Sequence, residues 1–104
     1  MDPLIFRAGE KFRRGSGYTI EQEAAVCGAL CEFLTTNALN TRALPSKDTR
    51  DWSSFELRFS DVTEEGLATI KAALDKWMRG IDGGKDPYDT RALTKALDQV
   101  RRPR

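Results

Sequence analysis

The sequence of 104 residues contains no histidine. Catalytic triads, cysteine–histidine pairs and histidine-ligated metal centres all need an imidazole that titrates near neutral pH, so they are excluded. The acidic residues offer no marked pair for general acid–base catalysis either. We therefore expect no enzymatic activity, and a small enzyme ranks third among the functions that we consider.

Cysteine is scarce, and both cysteines lie in the stretch "AVCGALCEF" as Cys27 and Cys31. On a helix these positions are one turn apart, with Cβ atoms about 6 Å apart, whereas a disulfide needs about 3.8 Å. A structural zinc site takes four ligands, and the sequence offers two thiols and no imidazole. We expect reduced cysteines that pack as small apolar side chains, with no metal, disulfide or cofactor.

Long apolar runs are also lacking. No stretch approaches the roughly 20 apolar residues that span a bilayer. At the N-terminus the apolar run is only Leu4 to Phe6, and Asp2 stands where a signal peptide would carry basic residues. We therefore expect a cytoplasmic protein with no membrane partner.

Hydrophobic periodicity predicts three helices. The first runs from Ile20 to about Leu34, with Thr19 and Gln22 as a capping box. The second follows a cap at Asp61 or Thr63, and its apolar arc centres on Trp77. The third follows a cap at Asp86 or Asp89 and leads into a basic tail, residues 101–104, that we expect to fray.

Fewer segments of the sequence have the alternating pattern that is typical of a β-strand. The stretch "SFELRFSDV" (54–62) alternates apolar and polar residues, with Phe55, Leu57 and Phe59 on one side. "TRAL" (41–44) is a second short candidate, and residues 1–18 form an arm or a hairpin. Together these elements predict one α+β domain over residues 1–104. Three helices pack on a short antiparallel sheet, in the order (β)αββαα.

Several aromatic residues fall outside the periodic apolar faces. They are Trp52, Tyr18, Phe12 and Tyr88. Loop tryptophans and tyrosines are favoured anchors at protein interfaces, and the other interpretation is that they cap the ends of the core. We expect a non-enzymatic protein-binding module, such as a small inhibitor or a toxin-neutralising immunity protein that covers a partner's surface.

The alternative is a nucleic-acid-binding regulator. Its candidate phosphate-binding residues are Lys11, Arg13, Arg14, Arg91, Lys95 and Arg102. The last three lie on one face of the third helix. The overall charge does not favour this alternative, because the net charge is only +1 and the pI is about 7.8, whereas nucleic-acid-binding domains are typically strongly basic.

Overall fold

The computed structural model of the chain describes residues 3–7, 20–49, 52 and 54–102. Within these residues the elements are strand β1, helix α1, strand β2, a 3-10 helix, and helices α2 and α3. Their bounds, in that order, are Leu4–Arg7, Ile20–Thr36, Glu56–Arg58, Phe59–Asp61, Glu64–Asp82 and Arg91–Arg101. The predicted α+β class, with three helices and an antiparallel sheet, is confirmed. Thr19 and residues 8–18 of the expected arm lie outside the described residues.

Strands β1 and β2 form an antiparallel pair in which Phe6 lies opposite Leu57. Both of these side chains are buried, as the alternation of the second strand predicts for Leu57. Beyond β2 the chain winds into the 3-10 helix, so Phe59 leaves the predicted alternation and is only half-buried. The Lys71 Nζ lies 5.2 Å from the centroid of the Phe59 ring.

The expected strand at residues 41–44 is wrong. In the described chain this region contributes an isolated antiparallel bridge between Asn40 and Val62, and the Thr41 N–H donates to the Asp61 carbonyl at 2.8 Å. A 3-10 helix rises about 2.0 Å per residue and a strand about 3.3 Å. The two segments therefore lose register after Thr41, and the order is βαβαα instead of (β)αββαα.

Helix α1 contributes a nearly continuous run of buried side chains to the core. They are Val26, Cys27, Ala29, Leu30, Cys31, Phe33 and Leu34. The helix ends where Ala38 adopts a left-handed backbone with φ of 56°. The Asn37 side chain donates to the Phe33 carbonyl at 2.8 Å and satisfies one of the last helical carbonyls.

Both cysteines are free and buried, so the prediction that they are packing residues is confirmed. Burial raises the pKa of Cys27 and of Cys31 to about 12. Among the described residues, no group of three or more histidine, cysteine or acidic side chains is placed to hold a metal ion.

Helices α2 and α3 pack against each other. The Thr63 hydroxyl accepts the Gly66 N–H at 3.1 Å, so Thr63 is the cap of α2 and Asp61 is not. An added Cβ at Gly66 would lie 2.9 Å from the Leu39 carbonyl oxygen. Glycine at this position therefore lets the segment after α1 pack directly on α2. None of the helices in the described part of the chain has the length and apolar character needed to cross a membrane.

Helix α3 starts differently from the prediction. Thr90 is its N-cap and makes no capping bond with its side chain. The two predicted caps instead accept main-chain N–H groups in the connection, Asp86 from Tyr88 at 2.9 Å and Asp89 from Arg91 at 3.4 Å. At the other end of the helix, Arg101 belongs to the last turn. It donates to Glu65 at 3.3 Å and to the Asn37 carbonyl at 3.0 Å, whereas residues 103–104 lie outside the described residues.

Trp77 is buried, as the apolar arc of α2 predicts, with 3% of its surface exposed. Its indole N–H donates to the Pro87 carbonyl at 3.2 Å. The side chain therefore fills the core and also fixes the connection between α2 and α3.

Native protein should react only slowly with iodoacetamide at mildly alkaline pH, because the high pKa of each thiol suppresses the reactive thiolate and burial blocks access. Mass spectrometry of the labelled protein, with and without denaturant, measures this. Fast labelling of Cys27 or Cys31 without denaturant would contradict the burial.

Replacing Trp77 with alanine should lower the free energy of unfolding by about 3–5 kcal/mol, because it leaves a large cavity. Chemical denaturation followed by circular dichroism measures the change. Lys76→Ala, at the exposed neighbouring position on the same helix, is the matched control and should change stability little. Equal free energies of unfolding for the Trp77 variant and wild type would contradict the burial of this side chain.

Candidate functional site

Asp61, the last residue of the 3-10 helix, gathers three N–H groups around its carboxylate. Its Oδ1 accepts from the Arg42 Nε at 2.6 Å, and its Oδ2 accepts from the Arg42 Nη2 at 3.4 Å and the Arg58 main-chain N–H at 2.8 Å. The Arg42 guanidinium, more than the Arg58 N–H, holds the pKa of Asp61 below its usual range, although burial opposes this shift. The Asp61 side chain is 13% exposed and that of Arg42 is 48% exposed.

This ion pair covers the edge of β2 that faces away from β1. Main-chain groups of alternate strand residues point to the same edge, so Glu56 and Arg58 present theirs on the side opposite to Leu57. The Glu56 carbonyl accepts from the Arg42 Nη2 at 3.5 Å, and the Arg58 N–H donates to Asp61. The two side chains thus occupy the place that a third strand would take.

A groove of about 400 Å³ lies beside this edge, and we name it the Arg42 groove. It is lined by Arg42, Pro45, Thr49, Trp52, Ser54, Phe55, Glu56, Arg58 and Asp61. The Trp52 and Phe55 rings meet edge to face with centroids 5.3 Å apart. Trp52 is only 3% exposed, so it is part of the groove wall and the core, in agreement with the core-capping interpretation that the sequence left open.

Two further grooves continue from the Arg42 groove along α1. The first, about 390 Å³, lies between α1 and the segment 44–47 and shares Pro45 with the Arg42 groove. The next, about 230 Å³, lies between α1 and Tyr88 and shares Glu32 and Thr36 with its neighbour. We name the three together the groove band. Tyr88 and Trp52, two of the four aromatic residues singled out in the sequence, lie at its opposite ends.

Tyr88 is the one described large apolar residue that stays well exposed, at 43% of its surface. Its hydroxyl lies over α1, where a Cβ added at Gly28 would be 2.8 Å from that oxygen and 3.3 Å from the Lys47 Cα. Partial burial raises the pKa of Tyr88, and the negative charge of Glu32 adds to the shift. In the sequence, the one signal of this close approach is a glycine in the interior of a helix.

The predicted phosphate-binding stripe is exposed on α3, but acidic residues neutralise part of it. The Arg91 guanidinium donates to both carboxylate oxygens of Asp89 at 2.8 Å. Asp98 lies three residues after Lys95 and four before Arg102, so it falls on the same face of the helix as those two cations. The other candidates, Lys11, Phe12, Arg13, Arg14 and Tyr18, lie outside the described residues.

Comparison with known proteins gives no relative to guide the assignment of function. No protein-family model, no curated protein and no solved structure matches the chain. A functional proposal therefore has to come from the side chains and grooves themselves.

Asp61→Asn should lower the free energy of unfolding at neutral pH by about 1–3 kcal/mol, because it removes the charge from these hydrogen bonds. Because Arg42 is half-exposed, solvent screens the ion pair, and we expect a loss in the lower part of that range. The folded-state pKa of Asp61 is lowered, so its contribution is complete above about pH 4, the ordinary carboxyl value, and is lost as pH falls through the folded-state pKa.

The stability gap between wild type and Asp61→Asn should accordingly narrow on acidification, as measured by denaturant unfolding at several pH values. The matched control is Asp89→Asn, which also breaks an arginine pair, but one whose Arg91 side chain is 86% exposed to solvent. That variant should change stability little. A gap that is constant with pH would show that the ionised carboxylate is not what stabilises this region.

Proposed function

We propose that the chain is a non-enzymatic protein-binding module that covers part of a partner's surface, as small inhibitors and toxin-neutralising immunity proteins do. The observation that carries the proposal is the groove band, because its three depressions are linked by shared lining residues, Pro45 between the first two and Glu32 and Thr36 between the last two. A small-molecule site is typically one concave cavity that encloses most of its ligand. Protein partners instead contact several neighbouring depressions over a wide surface.

Tyr88 is the anchor that we propose for this interface. An exposed tyrosine offers a rigid ring and a hydroxyl at a low entropic cost, and such residues often dominate binding energy at protein interfaces. Beside it, Lys47 and Glu32 form an ion pair with 3.6 Å between Nζ and Oε2. Exposed, paired charges beside an aromatic anchor resemble the polar rim of a protein interface.

The pairing of charges makes the nucleic-acid alternative less favourable. Arg42 pairs with Asp61 and Lys47 with Glu32 in the groove band, and Arg91 pairs with Asp89 on α3. Phosphate binding draws its free energy from cations that replace the counterions of the nucleic acid. Cations that already have carboxylate partners contribute less. The proposal retains the expected cytoplasmic location, which rests on the sequence alone.

Affinity capture from extracts of the host, with the tagged chain as bait, tests the proposal. Wild type should capture one defined partner, and Tyr88→Ala combined with Glu32→Lys should lose it without a large change in melting temperature. The matched control, Arg91→Glu with Lys95→Glu, changes exposed charges outside the band and should retain the same partner. Equal capture by the band variant would remove the groove band as the interface.

Binding assays with duplex DNA and single-stranded RNA test the nucleic-acid alternative. At physiological salt we expect no binding tighter than micromolar. A nucleic-acid binder would lose affinity steeply with salt, by about 0.9 in log K per log salt for each contact with B-DNA. Tight, salt-sensitive binding that the Arg91 and Lys95 reversals abolish would establish the alternative in place of our proposal.

A further inference from the structure

The Arg42 groove contains hydrogen-bond donors that have no acceptor. A guanidinium carries five N–H groups. In Arg42 four of them donate, to the Asp61 carboxylate and to the Ala43 and Glu56 carbonyls. The fifth, on Nη1, has no acceptor among the described residues. The Trp52 indole Nε1 is likewise buried with no partner within the described chain.

The two acidic residues of the same groove are already engaged as acceptors. The Asp61 carboxylate accepts three N–H groups, and Glu56 accepts from Arg42 through its carbonyl and from the Arg58 guanidinium at 3.3 Å through Oε1. The Thr49 and Ser54 hydroxyls that also line the groove can donate. An acceptor oxygen that entered this groove would therefore find donors without partners.

The charges of the groove indicate that this oxygen is neutral. Two guanidinium groups face two carboxylates, so the lining has no net charge. A carboxylate that entered would meet the negative charges of Asp61 and Glu56 and would compete with Asp61 for Arg42. An amide carbonyl accepts the same donors without that repulsion.

The remaining wall is apolar. The Trp52 and Phe55 rings and Pro45 line it, and they suit an aliphatic side chain next to the carbonyl. A buried N–H without an acceptor is unfavourable, and an acceptor oxygen relieves that cost. Part of the lining, including Pro45 and Thr49, comes from the segment 43–49, which forms no helix or strand. Because the indole N–H is buried, an acceptor reaches it only if the groove lining moves.

We propose that the Arg42 groove binds a neutral main-chain carbonyl of the partner protein, with the adjacent aliphatic side chain against Trp52 and Phe55. This inference rests on the proposed protein-binding function and adds the chemistry of the segment that enters. In this proposal Trp52 is a hydrogen-bond donor in the groove wall.

Titration of ¹⁵N-labelled protein with N-acetyl-leucine methylamide, followed by NMR, tests the inference. The chain has two tryptophans, and the Trp77 indole N–H already donates to the Pro87 carbonyl. It is therefore an internal control. The Trp52 indole proton should shift downfield in a saturable manner while that of Trp77 stays in place. N-acetyl-leucine, which ends in a carboxylate, should bind at least about tenfold more weakly because of like-charge repulsion.

Trp52→Phe keeps an aromatic wall and removes the N–H. We expect this variant to bind the methylamide about tenfold more weakly, the loss of one hydrogen bond, as read from the shift of the Arg58 main-chain amide. A thermal melt checks that the variant is folded. Unchanged affinity in this variant, an equal shift of Trp77, no saturable shift of Trp52, or tighter binding of the carboxylate would each overturn the inference.

Failure here is distinguishable from failure of the proposed function. If the titration gives no shift at Trp52, the inference that the Arg42 groove binds a carbonyl is wrong. Partner capture that depends on Tyr88 would still support the proposed protein-binding function. Capture that does not depend on Tyr88 removes the groove band as the interface. A saturable shift at Trp52 would then still support the chemistry of the groove.

Discussion

The ion pair between Arg42 and Asp61 reinforces a junction that main-chain hydrogen bonds from Thr41 to Asp61 and from Thr63 to Leu39 also hold. Arg42 belongs to the irregular segment after α1, and Asp61 ends the 3-10 helix that follows β2. Through Arg58 and Glu56 the same pair also satisfies main-chain groups of β2. A two-stranded sheet has no further strand to cover its edges, and an uncovered edge invites pairing with other chains. In this structure the side chains of Arg42 and Asp61 cover the edge of β2 that faces away from β1.

The Arg42 groove is a direct consequence of this arrangement. Had residues 41–44 continued as a strand beside β2, their backbone would have filled the space that the groove occupies. The 3-10 turn at Phe59–Asp61 prevents this, and the long arginine side chain crosses the gap. The absence of the predicted strand at residues 41–44 and the presence of the groove therefore have one cause, the change of backbone rise after β2.

Periodicity made most of the fold predictable. The apolar faces of the helices, the burial of Trp77 and the packing role of both cysteines follow from residues close together in sequence. The site did not follow, because its contacts are distant. Arg42 and Asp61 are 19 residues apart and meet only through an irregular turn. Gly28 and Tyr88 belong to separate elements, and the burial of Trp52 depends on Phe55 approaching it edge to face. No local pattern encodes such approaches.

The pairing of charges also determines how a partner would be selected. Arg42, Lys47 and Arg91 each have a carboxylate partner, and the net charge of the whole chain is +1. Long-range attraction therefore adds little to the encounter rate, and salt should affect binding only weakly. Specificity then has to come from shape and hydrogen bonding within the grooves. The Arg42–Asp61 pair, together with the main-chain hydrogen bonds beside it, supports the lining of the Arg42 groove. The stability of this region and the proposed recognition chemistry of that groove therefore involve the same two side chains.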